Sequence, residues 1–380
     1  MNQMNVVPSY PPSSAPAPVG FSGDRGEFFG LVTRGAALEL VTVGFYRFWL
    51  ATDIRRHLWA NTVIDGDAVE YTGRGKELLI GFLFALAILV PFYLIYLLIS
   101  IEATRFQAFA GTPLFLAIYA FGQFAIYRAR RYRLTRTVWR GVRFWMDGSG
   151  WAYSVRAMGW GLLVLLTLGL LLPWREAALE RYKMQHTHYG DLQGSFEGEG
   201  WEFFKRGWWL WLLSPVAYVI PFLAPFVYAA YKAVEWRWWL SGIRFGGVRL
   251  ESTMTRGALI GLYWKVVGWV VLLGLALAAY AWLCVSLVAS ADGTSLEVFF
   301  TSQAAARSIP LLALIGAGYL VFVLAMNVVV RVYLVHDLWV KVVGSVDVQG
   351  IEAAANVAAR GDLASALGEG LADSLDVAGF

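Results

Sequence analysis

Three charges stand inside an otherwise apolar stretch near the start of this chain, Arg34, Glu39 and Arg47 between Phe28 and Leu50, and the first two lie deepest within it. A charge in hydrocarbon costs about 3 kcal/mol or more and is kept where it binds an ion, relays a proton or meets a partner. Glu39 is the natural proton or ion site of such a stretch, with Arg34 beside it. Their five-residue spacing is poor for a pair on one helix face, so each needs a bundle interior or a polar cavity to face. If the segment instead lies flat in the interface, both charges sit among headgroups. Gln123 and Asn327 are further polar points within apolar runs, suited to interhelical hydrogen bonds or to a solute.

Other groupings carry less chemistry. His186-Thr-His188, near Asp191, lacks the helical spacing of a zinc-protease pair. Gly73-Arg-Gly-Lys76 has neither the first half of a phosphate loop nor its Ser/Thr, and His336-Asp337 has no identifiable nucleophile. The single cysteine, Cys284, excludes an intrachain disulfide and a cysteine-based zinc site. No catalytic residue, metal or cofactor is assigned, and a non-enzyme is expected. The arginines of the middle segment, Arg128, Arg130, Arg131 and Arg133, interleave with Tyr127 and Tyr132 as in a nucleic-acid surface. They lie between two apolar runs, however, where anionic headgroups rather than nucleic acid are the expected partner. Arg55, Arg56 and Arg237 join them as candidate lipid contacts.

The elements that must hold these residues follow from composition. Of 380 residues, 58% are hydrophobic and 15% charged, with a mean hydropathy of +0.56; a soluble domain carries about 25% charge. The excess apolar surface calls for lipid. Six stretches are free of Asp, Glu, Lys and Arg: 78–101, 106–127, 157–174, 207–231, 266–291 and 308–330. Phe28 to Leu50 is a seventh candidate, and Pro215, Pro221 and Pro225 kink or split 207–231. The expected fold is therefore an all-α transmembrane bundle of about seven spans, six to eight allowed, with short β-hairpins at the helix ends. Tryptophan, at 18 copies, collects near the predicted ends as an interfacial belt. The Lys/Arg-rich loops place the C-terminus in the cytoplasm and the N-terminus outside, although the basic segment 175–206 then falls on the wrong side.

The chain also repeats itself. Phe21-Ser-Gly23 through Phe29 aligns on Phe196-Glu-Gly198 through Phe204, and Thr42-Val-Gly44 with Trp49 recurs as Thr167-Leu-Gly169 with Trp174. Gly141-Val-Arg-Phe144 returns as Gly247-Val-Arg-Leu250. Asp65-Gly66, Met146-Asp147-Gly148 and Phe245-Gly246-Gly247 suit hairpin turns; lone hairpins are marginal, so several are expected to pair into a small sheet beside the membrane. The expected organisation is a disordered Pro/Ser-rich 1–20, a first membrane repeat over 21–195, a second over 196–350, and an acidic Ala/Gly-rich tail over 351–380. With Phe21-x-Gly23, Glu27-Phe28, Thr42-Val-Gly44-Phe-Tyr46, Trp49, Arg55-Arg56, Asn61-Thr62 and Gly66, the chain resembles the YjgN-like family of bacterial inner-membrane proteins, which has no assigned biochemical activity. The resemblance covers roughly 21–350, implies a multi-pass inner-membrane location, and supplies no catalytic residues. Glu39 departs from it, standing where a neutral residue is expected.

Two functions fit these residues. One is a small-solute or ion transporter or channel using Arg34, Glu39, Gln123 and Asn327. The alternative is a non-transporting scaffold that binds anionic lipid through its arginines, with a homo-oligomer or a protein partner on the C-terminal tail.

Overall fold

Residue pairs that accept left-handed backbone reverse the chain four times. Asp65-Gly66 and Arg140-Gly141 both take positive φ at both positions, while Gly190 and Gly246 do so at the first. In the computed structural model, which describes residues 17–103, 111–293, 295–301, 308–361 and 363–364, each turn joins two short strands. The strands are β1 (Ala17–Phe21), β2 (Thr62–Ile64), β3 (Asp67–Tyr71), β4 (Thr137–Trp139), β5 (Val142–Met146), β6 (Thr187–Tyr189), β7 (Leu192–Phe196), β8 (Ile243–Phe245), β9 (Val248–Ser252) and β10 (Val346–Gln349). All pair antiparallel, and β1 pairs with both β2 and β10, closing a ten-stranded barrel. Closure gives every edge a partner that an isolated hairpin lacks. Val69, Trp139, Tyr189, Val248, Val346 and Val348 bury together in one core, so the barrel is filled rather than hollow.

Between strands that the turns do not join, the chain makes five helical excursions. They are α1 (Arg25–Val41) with α2 (Arg47–Ala60), α3 (Gly75–Ala103) with α4 (Gly111–Thr135), α5 (Gly150–Leu166) with α6 (Leu172–Gln185), α7 (Gly200–Val219) with α8 (Ala224–Gly242), and α9 (Ile260–Ala291) with α11 (Ile309–Val330). A short α10 (Leu296–Thr301) lies within the last excursion, and α11 continues through a π-helical segment, Arg331–Asp337, into α12 (Leu338–Val343). In an antiparallel barrel the tight turns share one end, so all five helical pairs rise from the other. The aligned segments noted above fall within this β-α-α-β rhythm. Phe21 and Phe196 each close a strand that leads into a helix, and Thr42 and Thr167 each sit at a helix-pair tip.

This architecture corrects the all-α bundle of about seven spans. The hairpins form a closed antiparallel barrel, and among the described residues three helical stretches are long and apolar enough to cross a membrane: Gly75–Leu98, Ile260–Ala291 and Ile309–Val343. Apolar segment 28–50 breaks at Thr42–Tyr46, and 157–174 breaks at Thr167–Leu171, because two successive residues turn left-handed: Val43 with Gly44, and Leu168 with Gly169. In each, the threonine hydroxyl donates to the carbonyl four residues back, Leu38 or Leu163, and accepts from the amide four residues on, Tyr46 or Leu171. Segment 207–231 splits at the Pro221–Leu223 turn. Met146-Asp147-Gly148 is no hairpin turn but the lead-in to α5, with Ser149 capping Ala152. The barrel also overturns the placement of the two chain ends on opposite sides: Ala17 pairs with Val348, so an odd number of crossings cannot separate them. Ala17–Gly20, expected to be disordered, belong to the closing strand, where Pro18 near the strand start costs no essential donor.

Beyond β10 the chain turns back over the barrel. Ala354 buries in the barrel core, the Ala358 amide donates to the Asp191 carboxylate at 3.0 Å, and the Ala364 carbonyl accepts from Arg136 at 3.2 Å. The rest of the tail, including Leu367, Leu371 and Leu375, lies outside the described residues.

Candidate functional site

The seam where the barrel closes brings α1 and α2 against α11 and its π-helical extension. Val32, Leu50, Ile54, Leu58 and Val332 bury together there with Phe28. A π-helical stretch is rare and is frequently found at functional sites; here it contributes Arg331, Tyr333, His336 and Asp337. Glu39 does not pair with Arg34, which is exposed. It accepts instead from Arg331 Nη2 at 2.8 Å, with both side chains mostly buried. The π segment is tied down a second time by Arg25, which donates to the Asp337 carboxylate at 3.0 Å and lies over the Tyr333 ring.

Beside this ion pair a cavity of about 460 Å³ opens between α2 and α11. Its polar wall is Arg55, Asn327 and Arg331, and its other lining residues, from Ala51 and Ile54 to Phe322, Val323 and Met326, are apolar. Arg331 Nη1 and Asn327 Oδ1 are buried and have no hydrogen-bond partner. Arg55 is 5% exposed and reaches the Tyr71 hydroxyl at 3.4 Å. A buried polar atom without a partner costs about 1–3 kcal/mol, so two cavity-lining residues that each carry one mark a place where a ligand could supply the missing groups. Arg331 donates and the Asn327 oxygen accepts.

Two histidines lie at the same seam. His57 and His336 both pack on the rings of Phe21 and Phe28, and the Nε2 atom of each is buried without a partner. Burial pushes the His57 imidazole down, and His336 adds to that push. At the corresponding helix ends of later units the polar atom is satisfied: Tyr132 donates to Glu77, Tyr182 to the Ser149 carbonyl, and Trp238 to the Glu199 carbonyl.

The remaining candidates lie apart from this cavity. Gln123 is buried on α4 and lines neither cavity described here. Arg130 donates to Glu180 at 2.6 Å, and Lys183 holds the other carboxylate oxygen. Burial pushes the Glu180 carboxyl up, but Arg130 and Lys183 outweigh it and hold it at about 2. Arg128 lies over the Phe124 ring at 5.5 Å, and Arg131 and Arg133 are half-buried. Arg56 donates to the Gly73 carbonyl, and Arg237 is exposed. His186 faces Asp147 while His188 stacks on Trp145, so the two rings have different neighbours. A second cavity of about 660 Å³, between the α5–α6 turn and the α7–α8 pair, is almost wholly apolar and lined by Phe203, Phe204, Trp208 and Trp211.

Sequence reasoning singled out Glu39, Asn327 and Arg55 but not Arg331, which reads as an end residue after the last apolar run. Two signals point to it: a buried carboxylate needs a cation, and Arg331 follows Asn327 by one helical turn.

A family model described as "Bacterial protein of unknown function (DUF898)" matches residues 16–236, from β1 into α8. No curated protein and no solved structure matches the chain.

Proposed function

The chain belongs to the bacterial DUF898 family of unknown function, and we propose that this member is a non-enzymatic membrane scaffold that gathers anionic phospholipid beneath its barrel. The support starts with the helix tips. Those of α1–α2, α5–α6 and α7–α8 carry exposed apolar residues, with Val43 at 87%, Leu168 at 84% and Val219 at 78%. Such tips suit hydrocarbon, not water. The end of α3 and the segments linking α3 to α4 and α9 to α11 instead hold Glu102, Arg105, Asp292, Glu297 and Arg307. On this reading the long α3 and α9 cross and α11 returns, and α4, with a shorter uncharged run over 111–127, completes the return of the α3 excursion to the barrel, giving four spans while the other three pairs dip in and return. The span of α3, 29 residues or about 43 Å, exceeds the roughly 30 Å core, whereas the 17 residues of α1 reach only about 25 Å.

On this topology the arginine-rich helix ends, including the segment 175–206, gather on the barrel side. The positive-inside rule then puts the barrel and both chain ends in the cytoplasm of an inner-membrane protein. The observation that carries the scaffold reading is the filled barrel beneath the helices, which offers no axial route for a solute. Lipid co-purifying with the protein from a mixed bilayer tests it: anionic over zwitterionic enrichment that weakens with salt is expected, and equal retention of both sinks it. One observation favours passage of a small solute along the seam instead, the polar cavity between α2 and α11. Proteoliposome uptake of inorganic phosphate, abolished by Glu39→Gln with Arg34→Ala, would establish that alternative.

A further inference from the structure

We infer that the cavity between α2 and α11 seats the headgroup of one anionic amphiphile, a phosphate bearing a hydroxyl group nearby, as in a glycerol-phosphate headgroup; this rests on the lipid-scaffold reading. Two residues that line the cavity, one turn apart on one helix, carry unmet needs of opposite kind. Arg331 has one guanidinium nitrogen committed to Glu39 and another, Nη1, buried and bare. An oxyanion answers the bare nitrogen with a charge-assisted bond, and Glu39 already fixes the side chain, so binding costs little further ordering. Asn327, one turn earlier, lines the same cavity, and its buried side-chain oxygen has no donor. An anion alone cannot satisfy an oxygen; a hydroxyl next to the anion can.

The remaining wall says what the rest of the ligand is. Phe322, Val323 and Met326 on α11 lead away from Asn327, in the part of the helix long and apolar enough to cross a membrane. About 460 Å³ holds a headgroup and the first methylenes but not two full acyl chains, so the chains leave along that apolar face. Arg55 adds a second guanidinium to the polar side.

Native mass spectrometry of the full chain released from nanodiscs, with equal phosphatidylglycerol and phosphatidylcholine, tests the seat. Wild type is expected to keep one phosphatidylglycerol adduct. Arg331→Lys, which retains a cation for Glu39 but removes the bare nitrogen, and Asn327→Leu, which leaves the ion pair alone, are each expected to reduce that adduct about tenfold. The melting temperature of delipidated protein should stay near wild type in both. An adduct insensitive to both variants overturns the seat. If bulk anionic enrichment persists without such an adduct, the seat alone falls; if the adduct persists without enrichment, the scaffold falls and the seat stands. Stabilisation by free glycerol 3-phosphate equal to that by phosphatidylglycerol would overturn the membrane source of the ligand.

Discussion

Glu39 illustrates what a single sequence can and cannot disclose about a residue. Its placement in an apolar run marks it as needing a partner, and that need was legible. Its partner, Arg331, lies 292 positions away and is brought to it only because β1 and β10 close the barrel. Removing one member of a largely buried ion pair costs about 3–5 kcal/mol. Glu39→Gln is therefore expected to lower the melting temperature in detergent markedly, and Glu39→Gln with Arg331→Met to recover much of the loss; additive losses would dissolve the pairing. His57 gives a second measurement. Its native pKa is lowered from the usual 6.5, so as pH falls below that value the unfolded chain takes up a proton before the native one does. Stability then drops from about pH 6.5 toward the lower native value. His57→Phe is expected to flatten the melting temperature between about pH 7 and pH 5, and an unchanged slope would exonerate the histidine.

At the level of elements, the turns were readable and the sheet was not. Asp65-Gly66 and Gly246-Gly247 announce hairpins, and Pro221 announces a break, because each restricts backbone geometry locally. The strands they join are three to five residues long, as in β2 and β3, too short for alternation to distinguish a barrel from a loose sheet. The repeated Thr-x-Gly motif was visible, but its meaning, a helix reversal inside an apolar stretch, was masked by hydropathy continuing on both sides. Val43 takes φ +52° there, a left-handed conformation that costs a side-chain-bearing residue about 1–2 kcal/mol. Val43→Gly is expected to raise thermal stability by about 1 kcal/mol, measured by unfolding in detergent; a loss would mean that the exposed valine packs on something. Labelling separates crossing pairs from dipping ones. In a Cys284→Ala background, cysteines at Val43 and Leu168 should resist a membrane-impermeant maleimide from both sides, whereas one at Asp292 should react only from the face opposite the barrel.

For the whole molecule, closure of the barrel sets the topology. Since Ala17 pairs with Val348, reporters fused to the two ends are expected to light up in the same compartment; opposite compartments would contradict the barrel itself. The filled interior also shifts attention from an axial path to the seam, where the first and fifth excursions meet and where His57, Asn327, Arg331 and His336 each carry a buried polar atom without a partner.

The unequal reach of the five helical pairs has a mechanical consequence. On the proposed topology ten helices displace lipid near the barrel, and past the tips at Val43, Leu168 and Val219 only four continue. Such a body would be a wedge, wide in one leaflet and slim in the other, and would rest with least elastic strain where the bilayer bulges toward its broad side. On that topology the protein should sort onto narrow tubules pulled from giant vesicles, provided the barrel faces the convex surface.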